Sequence, residues 1–253
     1  MHFKPKLVAF DLDGTLAESK QSASPQIGEL LVELLKHVPV AVMSGAKFGQ
    51  MEEQLLPALS DKTHFERLYL FPNSAARCYV YKNGAWSSFY DHSFDPFERG
   101  RIVQAIKEAL AEVGLDKHPA QLWGEQVEDR GAQISFSPLG QQAPVGAKKE
   151  WNQLYDHKRK ELQSALIKRL PDFSIKTGGL TTIDITHKGI DKAYGIRQLV
   201  KLTDISIAEM LYVGDALQEG GNDSVVVGTG VRTHEVFGPE ETTALIKSLL
   251  KQL

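Results

Sequence analysis

The chain has 253 residues, 42% of them hydrophobic and 24% charged, with a formal net charge of −3 at pH 7. That composition excludes a disordered chain, a collagen-like repeat and a small disulfide-stapled domain, and the length suits one large domain or two small ones. With no basic excess and one cysteine, Cys78, neither a nucleic-acid or membrane partner nor an internal disulfide nor a four-cysteine zinc site is expected. The opening MHFKPKLVAFDLDG holds about five apolar residues before its first aspartate, too few for a signal-peptide core. No apolar run approaches the ~18 residues of a membrane span, so a cytoplasmic protein is the expectation.

Leu7-Val8-Ala9-Phe10 is a continuous apolar run ending in Asp11, and it predicts a strand buried on both faces. Ser24-Pro25 predicts a helix start, with Ile27, Leu30, Leu31, Leu34 and Leu35 on one apolar face. Pro39 ends that helix. Val40 to Met43 predicts a second buried strand running into Ser44-Gly45. Met51, Leu55, Leu56 and Leu59 predict another helix, and Leu68 to Phe71 a third strand. Strand and helix alternating with short links predict a doubly wound α/β unit.

The pattern then changes. Tyr79 to Tyr81 and Ala85-Trp86 predict a hairpin about Asn83-Gly84. From about residue 92 the reading becomes α+β. It has a helix over 96–113, strands near 126–127 and 134–137, a long charged helix over 148–170, and two short strands around Gly178-Gly179. The charged run of that long helix reads as a solvated face, not a nucleic-acid site. The α/β pattern returns with a helix from Asp191-Lys192 and a buried strand, Met210 to Val213, ending in Gly214-Asp215. A further strand is predicted at Ser224 to Val227, and a last helix opens at Gly238-Pro239-Glu240-Glu241. The expected fold is α/β: a Rossmann-like parallel-sheet core, residues 1–90 and 187–253, with an inserted α+β domain at 91–186.

Two of the strands end in acidic loops, Asp11-Leu12-Asp13-Gly14-Thr15 and Gly214-Asp215. In open α/β sheets, ligands bind beyond the carboxyl ends of the strands. Carboxylates gathered there repel one another, so a cation is expected, and oxygen-only ligands favour Mg²⁺. Ser44 and Gly45 offer a hydroxyl and a backbone N–H to a phosphate, and Lys192 offers a positive charge. A nucleophilic carboxylate, a second carboxylate, a hydroxyl, a lysine and a metal-binding acid suit phosphoryl transfer through an aspartyl-phosphate.

Phe10-Asp11-Leu12-Asp13-Gly14-Thr15-Leu16, then Ser44, then Lys192, then Gly214-Asp215 with Asn222-Asp223, resembles the four-part signature of the haloacid dehalogenase superfamily. The inserted domain resembles its C2-type α/β cap. The likeness is closer to the α-phosphomannomutase branch. It rests on Gly220-Gly221-Asn222-Asp223, on Arg130 with Ser137-Pro138-Leu139-Gly140, and on Asp184 with Gly189-Ile190-Asp191-Lys192. The resemblance implies that Asp11 is the nucleophile and Asp13 the general acid/base. It implies that Ser44, Gly45 and Lys192 hold phosphoryl oxygens. Asp11, the backbone carbonyl of Asp13, and Asp215 would bind Mg²⁺, with Asn222 and Asp223 completing the phosphate and metal shell. Arg130 and Asp184 would meet the substrate from the cap.

The mutases carry an arginine where this chain has Gln141. Two further arginines are matched by Lys148 and Lys20. Arginine clamps phosphate with a bidentate fork, lysine is a point charge and glutamine is neutral. The sequence therefore favours a Mg²⁺-dependent phosphatase acting on a phosphorylated sugar or similar small metabolite. The alternatives are a phosphohexomutase using the same phosphoenzyme and a non-catalytic phosphosugar-binding protein.

Overall fold

Buried apolar runs and their caps set the first half of the chain. β1 (Leu7–Asp11) is buried at every residue. α1 (Pro25–His37) starts where the Ser24 hydroxyl accepts from the Ile27 N–H at 3.2 Å, with proline in its first turn. β2 (Val40–Met43) follows Pro39. α2 (Phe48–Leu55) passes into a short 3₁₀ turn, Leu56–Ala58. β3 (Leu68–Phe71) leads into α3 (Pro72–Ala75), a single turn in which Asn73 and Ser74 adopt left-handed backbone. β4 (Arg77–Lys82) and β5 (Ala85–Asp91) form a hairpin. Its turn residues Asn83 and Gly84 both have positive φ, 52° and 81°, as a type I′ turn requires.

α4 (Pro96–Val113) opens on a reciprocal capping box between Asp95 and Glu98. β6 (Val127–Asp129) and β7 (Ile134–Phe136) follow, then α5 (Val145–Arg169), β8 (Phe173–Gly178) and β9 (Thr182–His187). α6 (Lys192–Thr203) is capped by Asp191, whose carboxylate accepts from the Tyr194 N–H at 3.1 Å. β10 (Met210–Gly214), α7 (Ser224–Val227), β11 (Arg232–Glu235) and α8 (Pro239–Leu250) complete the chain.

This computed structural model describes residues 3–116, 119 and 121–253. The chain divides into two compact units, Met1–Asp91 with Ile190–Leu253, and His92–Gly189. The larger unit is an α/β fold with a seven-stranded sheet of order β11-β10-β1-β2-β3-β4-β5. Its first five strands in that order run parallel, and β4 and β5 are antiparallel. Successive residues of a strand face opposite sides. Val8, Phe10, Val40, Val42 and Val213 accordingly pack with Leu31, Leu34 and Ile246 of the helices on one side. Leu7, Ala9, Ala41, Met43, Met210 and Tyr212 pack with Ile196 and Leu199 of α6 on the other. The smaller unit holds a four-stranded antiparallel sheet, β6-β7-β9-β8. One of its faces packs Ile134, Phe136, Ile175, Ile183 and Ile185 against Ile102, Ile106, Leu162 and Leu166 of α4 and α5.

One predicted strand is a helix. Ser224 to Val227 is apolar and β-branched, yet it coils as α7. The Asp223 N–H donates to the Ala216 carbonyl and the Val226 N–H to the Asp223 carbonyl, so the chain turns before it can extend. The fifth parallel strand is β11, whose four residues are all exposed. Among the described residues no helix is long and apolar enough to cross a membrane.

Cys78 lies in the core on the α6 side of the sheet, and burial pushes its thiol up to about 12. At pH 8 thiolate is therefore scarce as well as inaccessible. The folded protein should resist a thiol-specific disulfide reagent, and the denatured protein should titrate one thiol per chain. Rapid labelling of the folded protein would contradict this burial.

Candidate active site

Strand register brings the acidic loops together. In the β1–β2 pair Asp11 lies opposite Met43, so Ser44 is one step beyond it. In the β1–β10 pair Phe10 lies opposite Val213, so Asp215 is one step beyond the level of Asp11. Asp11, Ser44 and Asp215 thus stand at the carboxyl ends of three neighbouring parallel strands. Alternation sends Asp11 to the same side as Leu7 and Ala9, toward α6. Lys192 is the first residue of that helix.

Lys192 Nζ donates to Asp11 Oδ1 at 2.5 Å and to Asp223 Oδ1 at 2.6 Å. Asp11, Lys192 and Asp223 are all buried, at 2%, 2% and 0% exposure. Tyr212, also fully buried, donates its hydroxyl to Asp223 Oδ1 at 2.5 Å, and the Ala216 N–H donates to Asp223 Oδ2 at 3.3 Å. Burial pushes the Asp11 carboxyl up to about 7, against the pull of Lys192 and with added repulsion from Asp223 and Asp215. Burial by itself lowers the Lys192 ammonium, but the two carboxylates outweigh it and hold it above its usual range. The Asp215 carboxyl is raised, mainly by burial and then by Asp223. The protonation tendency of Asp11 has a plain cause: several buried carboxylates share one ammonium.

That imbalance fits a divalent cation. Asp11, Asp215 and Asp223 each bring one carboxylate oxygen within 4.8 Å of the others. Asp11 Oδ2 is buried and has no hydrogen-bond partner. An oxygen-only, anionic donor set of this kind suits a hard ion such as Mg²⁺. Two glycines make the space. A Cβ on Gly14, whose φ is 84°, would lie 2.4 Å from Asp215 Oδ2, and one on Gly214 would lie 2.4 Å from Asp223 Oδ2.

Asp13 is partly buried, and its Oδ1 accepts from the Lys20 N–H at 2.6 Å and from Gln54 Nε2 at 3.3 Å. Gln54 also donates to the Gln21 carbonyl at 3.2 Å and so ties the loop after β1 to α2. The Ser44 N–H is used by the Phe71 carbonyl, and Ser44 Oγ accepts from the Ala46 N–H at 3.0 Å. The Ser44 hydroxyl hydrogen remains to donate. Gly45 follows on the same turn, and Asn222 is exposed on the turn before Asp223. Sequence reading missed Tyr212 and Gln54. Tyr212 carried one signal, since a tyrosine in a buried strand must find a hydrogen-bond partner. Gln54 carried none, for a lone glutamine on a helix is ordinarily solvated.

The smaller unit holds Arg130 and Asp184. Glu128, Ser135, Asp184 and Lys176 form one register row across β6, β7, β9 and β8. They occupy the face opposite the isoleucines. Ser135 Oγ donates to Asp184 Oδ1 at 2.5 Å, and Arg130 pairs with Glu128 Oε2 through Nε at 2.9 Å and a terminal nitrogen at 2.7 Å. Gly178 leaves room for Asp184, whose Oδ2 lies 2.5 Å from where a Cβ would stand. The Gln141 amide donates to the Gln126 and Ser135 carbonyls at 3.2 and 3.0 Å.

A family profile described as eukaryotic phosphomannomutase matches residues 27–252. The chain belongs to the eukaryotic phosphomannomutase family. It is 27% identical to a probable phosphomannomutase of Caenorhabditis elegans over 98% of this chain and 96% of that one. It is 28% identical to a phosphomannomutase of Spinacia oleracea over 96% and 95%. Among solved structures, a haloacid dehalogenase-like hydrolase from Bacteroides thetaiotaomicron matches with TM-score 0.66 and 14% identity, covering 99% of this chain and all of that one. Plasmodium falciparum IMP-nucleotidase matches with TM-score 0.72 and 18% identity, covering 98% and 68%. These two likenesses concern the fold. The phosphomannomutase family places the chain among the phosphotransferase enzymes of the haloacid dehalogenase superfamily.

Removing one partner of a buried ion pair leaves uncompensated charge and costs about 3–5 kcal/mol. Lys192→Met should destabilise the protein by that order in metal-free buffer. The sign with pH follows from Asp11, whose carboxyl is already raised and loses its lowering neighbour in the variant. The folded state then binds more protons than the unfolded state, so stability falls as pH rises. Urea denaturation should show a larger deficit at pH 8 than at pH 5.5. An equal or smaller deficit at pH 8 would remove Lys192 from this role.

Proposed function

We propose that the protein is a Mg²⁺-dependent phosphohexomutase acting on a small phosphorylated sugar in the cytoplasm. The observation that carries this reading is Asp11: buried, ion-paired through one oxygen, bare at the other, and one step from Ser44 and Asp215. The family match supports transfer between sugar hydroxyls over hydrolysis, reversing the preference drawn from the arginine positions.

The roles follow from the chemistry of each group. Asp11 attacks phosphorus and forms an Oδ–P bond while the P–O bond to the sugar breaks. Asp13 gives a proton to the leaving sugar oxygen and later takes one from the acceptor hydroxyl, which attacks the phosphoryl group and frees Asp11. Its hydrogen bonds from Lys20 and Gln54 orient it for both steps. Lys192, the Ser44 hydroxyl, the Gly45 N–H and Asn222 hold the phosphoryl oxygens. Asp11, Asp215, Asp223 and the Asp13 carbonyl would hold Mg²⁺, which neutralises charge on the transferring group when bound. Residues 1–90 and 187–253 are the proposed catalytic core. Residues 91–186 are the proposed cap, where Arg130 and Asp184 select the substrate.

A specific observation favours a phosphatase as the second reading. Gln141 is uncharged and its amide is spent on two backbone carbonyls, so it gives a distal phosphate nothing to replace an arginine fork. The phosphoenzyme then loses more of its phosphoryl group to water. Hexose 1-phosphate with Mg²⁺ and a trace of hexose bisphosphate separates the readings. The mutase yields mainly hexose 6-phosphate with little free phosphate, and predominant free phosphate would instead establish the phosphatase.

Asp11→Asn keeps the shape and removes the nucleophile and a metal-binding charge. Turnover should fall by several orders of magnitude, roughly 10³-fold or more, with no acid-labile phosphoenzyme formed from labelled substrate. Near-normal turnover in this variant would sink the aspartyl-phosphate mechanism.

A further inference from the structure

Tyr212 sits in a strand whose other side chains are apolar, and none of its surface is exposed. Phenylalanine would fill the same space, so packing does not account for the hydroxyl. A buried hydroxyl needs a partner, and this one donates to Asp223 Oδ1 at 2.5 Å. The same oxygen takes Lys192 Nζ at 2.6 Å. Asp223 Oδ2 receives the Ala216 N–H at the longer distance of 3.3 Å.

The two donors on Oδ1 come from different elements, Tyr212 from β10 and Lys192 from α6. Together they fix the rotation of the Asp223 carboxylate about its Cβ–Cγ bond. Lys192 by itself is a weaker constraint, because it is also drawn to Asp11 at 2.5 Å. Gly214 adds the steric half of the arrangement. A Cβ there would lie 2.4 Å from Asp223 Oδ2 and 3.0 Å from the Tyr212 ring at Cε1, so both side chains close over one glycine. Asp223 in turn contributes an oxygen to the cluster with Asp11 and Asp215.

We infer that the Tyr212 hydroxyl is a positioning group for the cation site: it holds the Asp223 carboxylate against Lys192 in the orientation from which it joins Asp11 and Asp215 as a ligand for Mg²⁺. This rests on the Mg²⁺ reading proposed above. Tyr212 meets neither substrate nor reacting atoms in this scheme and acts through Asp223. Partners that orient a metal-ligating carboxylate change metal affinity by roughly 10–100-fold when removed.

The test is calorimetric titration of Mg²⁺ into the unaltered protein and into Tyr212→Phe, with melting temperatures recorded with and without Mg²⁺. The dissociation constant should rise roughly tenfold in the variant, and the Mg²⁺-induced gain in melting temperature should shrink. A variant that melts lower but binds Mg²⁺ as tightly as the unaltered protein has lost only stability, and that result overturns the proposal alone. Absence of Mg²⁺ binding by the unaltered protein overturns the metal reading and this proposal together. Should the variant not fold, the unaltered protein labelled with ¹³C at the tyrosine ζ carbon decides. Of the chain's seven tyrosines Tyr212 is the buried one, and Mg²⁺ should shift its resonance. An unmoved buried tyrosine overturns the proposal.

Discussion

Lys192 bridges Asp11 and Asp223 where water is excluded, and the rest of the larger unit is arranged around that contact. Taking charges out of water is expensive, and close geometry with further hydrogen bonds is needed to offset it. The structure supplies both. α6 begins at Lys192 because Asp191 caps it, which sets the lysine at the sheet's carboxyl edge. Tyr212 and the Ala216 N–H take up bonding positions on Asp223 that water would otherwise fill. What is left over is negative charge and one bare oxygen on Asp11. A site with that surplus is poised for a cation, and with a cation in place it can accept the charge of a phosphate.

The same side of the sheet is apolar for most of its length and charged only at its end. Leu7, Ala9, Met43 and Met210 pack on α6, and the next residue of that face on β1 is Asp11. The low-dielectric surroundings are thus the strand's own neighbours. They raise the cost of leaving Asp11 unpaired and the strength of each bond made to it. Gly14 and Gly214 matter for a steric reason, since a side chain at either would occupy the space of a carboxylate oxygen.

In the proposed scheme hydrolysis and transfer share every step up to the phosphoenzyme, so the proposed catalytic core would serve both. In that scheme the difference would lie in what holds the sugar while the acceptor arrives. In the smaller unit Ser135, Asp184, Glu128 and Lys176 form a polar row on the face opposite the isoleucines. Gln141 is turned inward to backbone carbonyls and adds no charge. The family match weighs toward transfer and this residue toward water.

Much of the fold was legible because its signals are local. The buried run of β1, the Ser24-Pro25 helix start and the Asn83-Gly84 turn each need only neighbouring residues. The order of Asp11, Ser44, Lys192 and Asp215 along the chain was legible too, as a motif. β11 was not, because an exposed edge strand of sequence Arg-Thr-His-Glu has no hydrophobic pattern to read. Ser224 to Val227 misled, because the Asp223 turn and not β-propensity sets its shape. By itself, the sequence determined which residue types reach the sheet's carboxyl edge and that they suit phosphoryl chemistry. Only the tertiary structure decided that Lys192 meets a partner 181 residues away, that Gln54 reaches across 41 residues to Asp13, and that the Tyr212 hydroxyl is spent on Asp223. Those contacts depend on which faces the packed sheet turns toward α6 and α2, and no periodicity along one strand or helix records where its neighbour will lie.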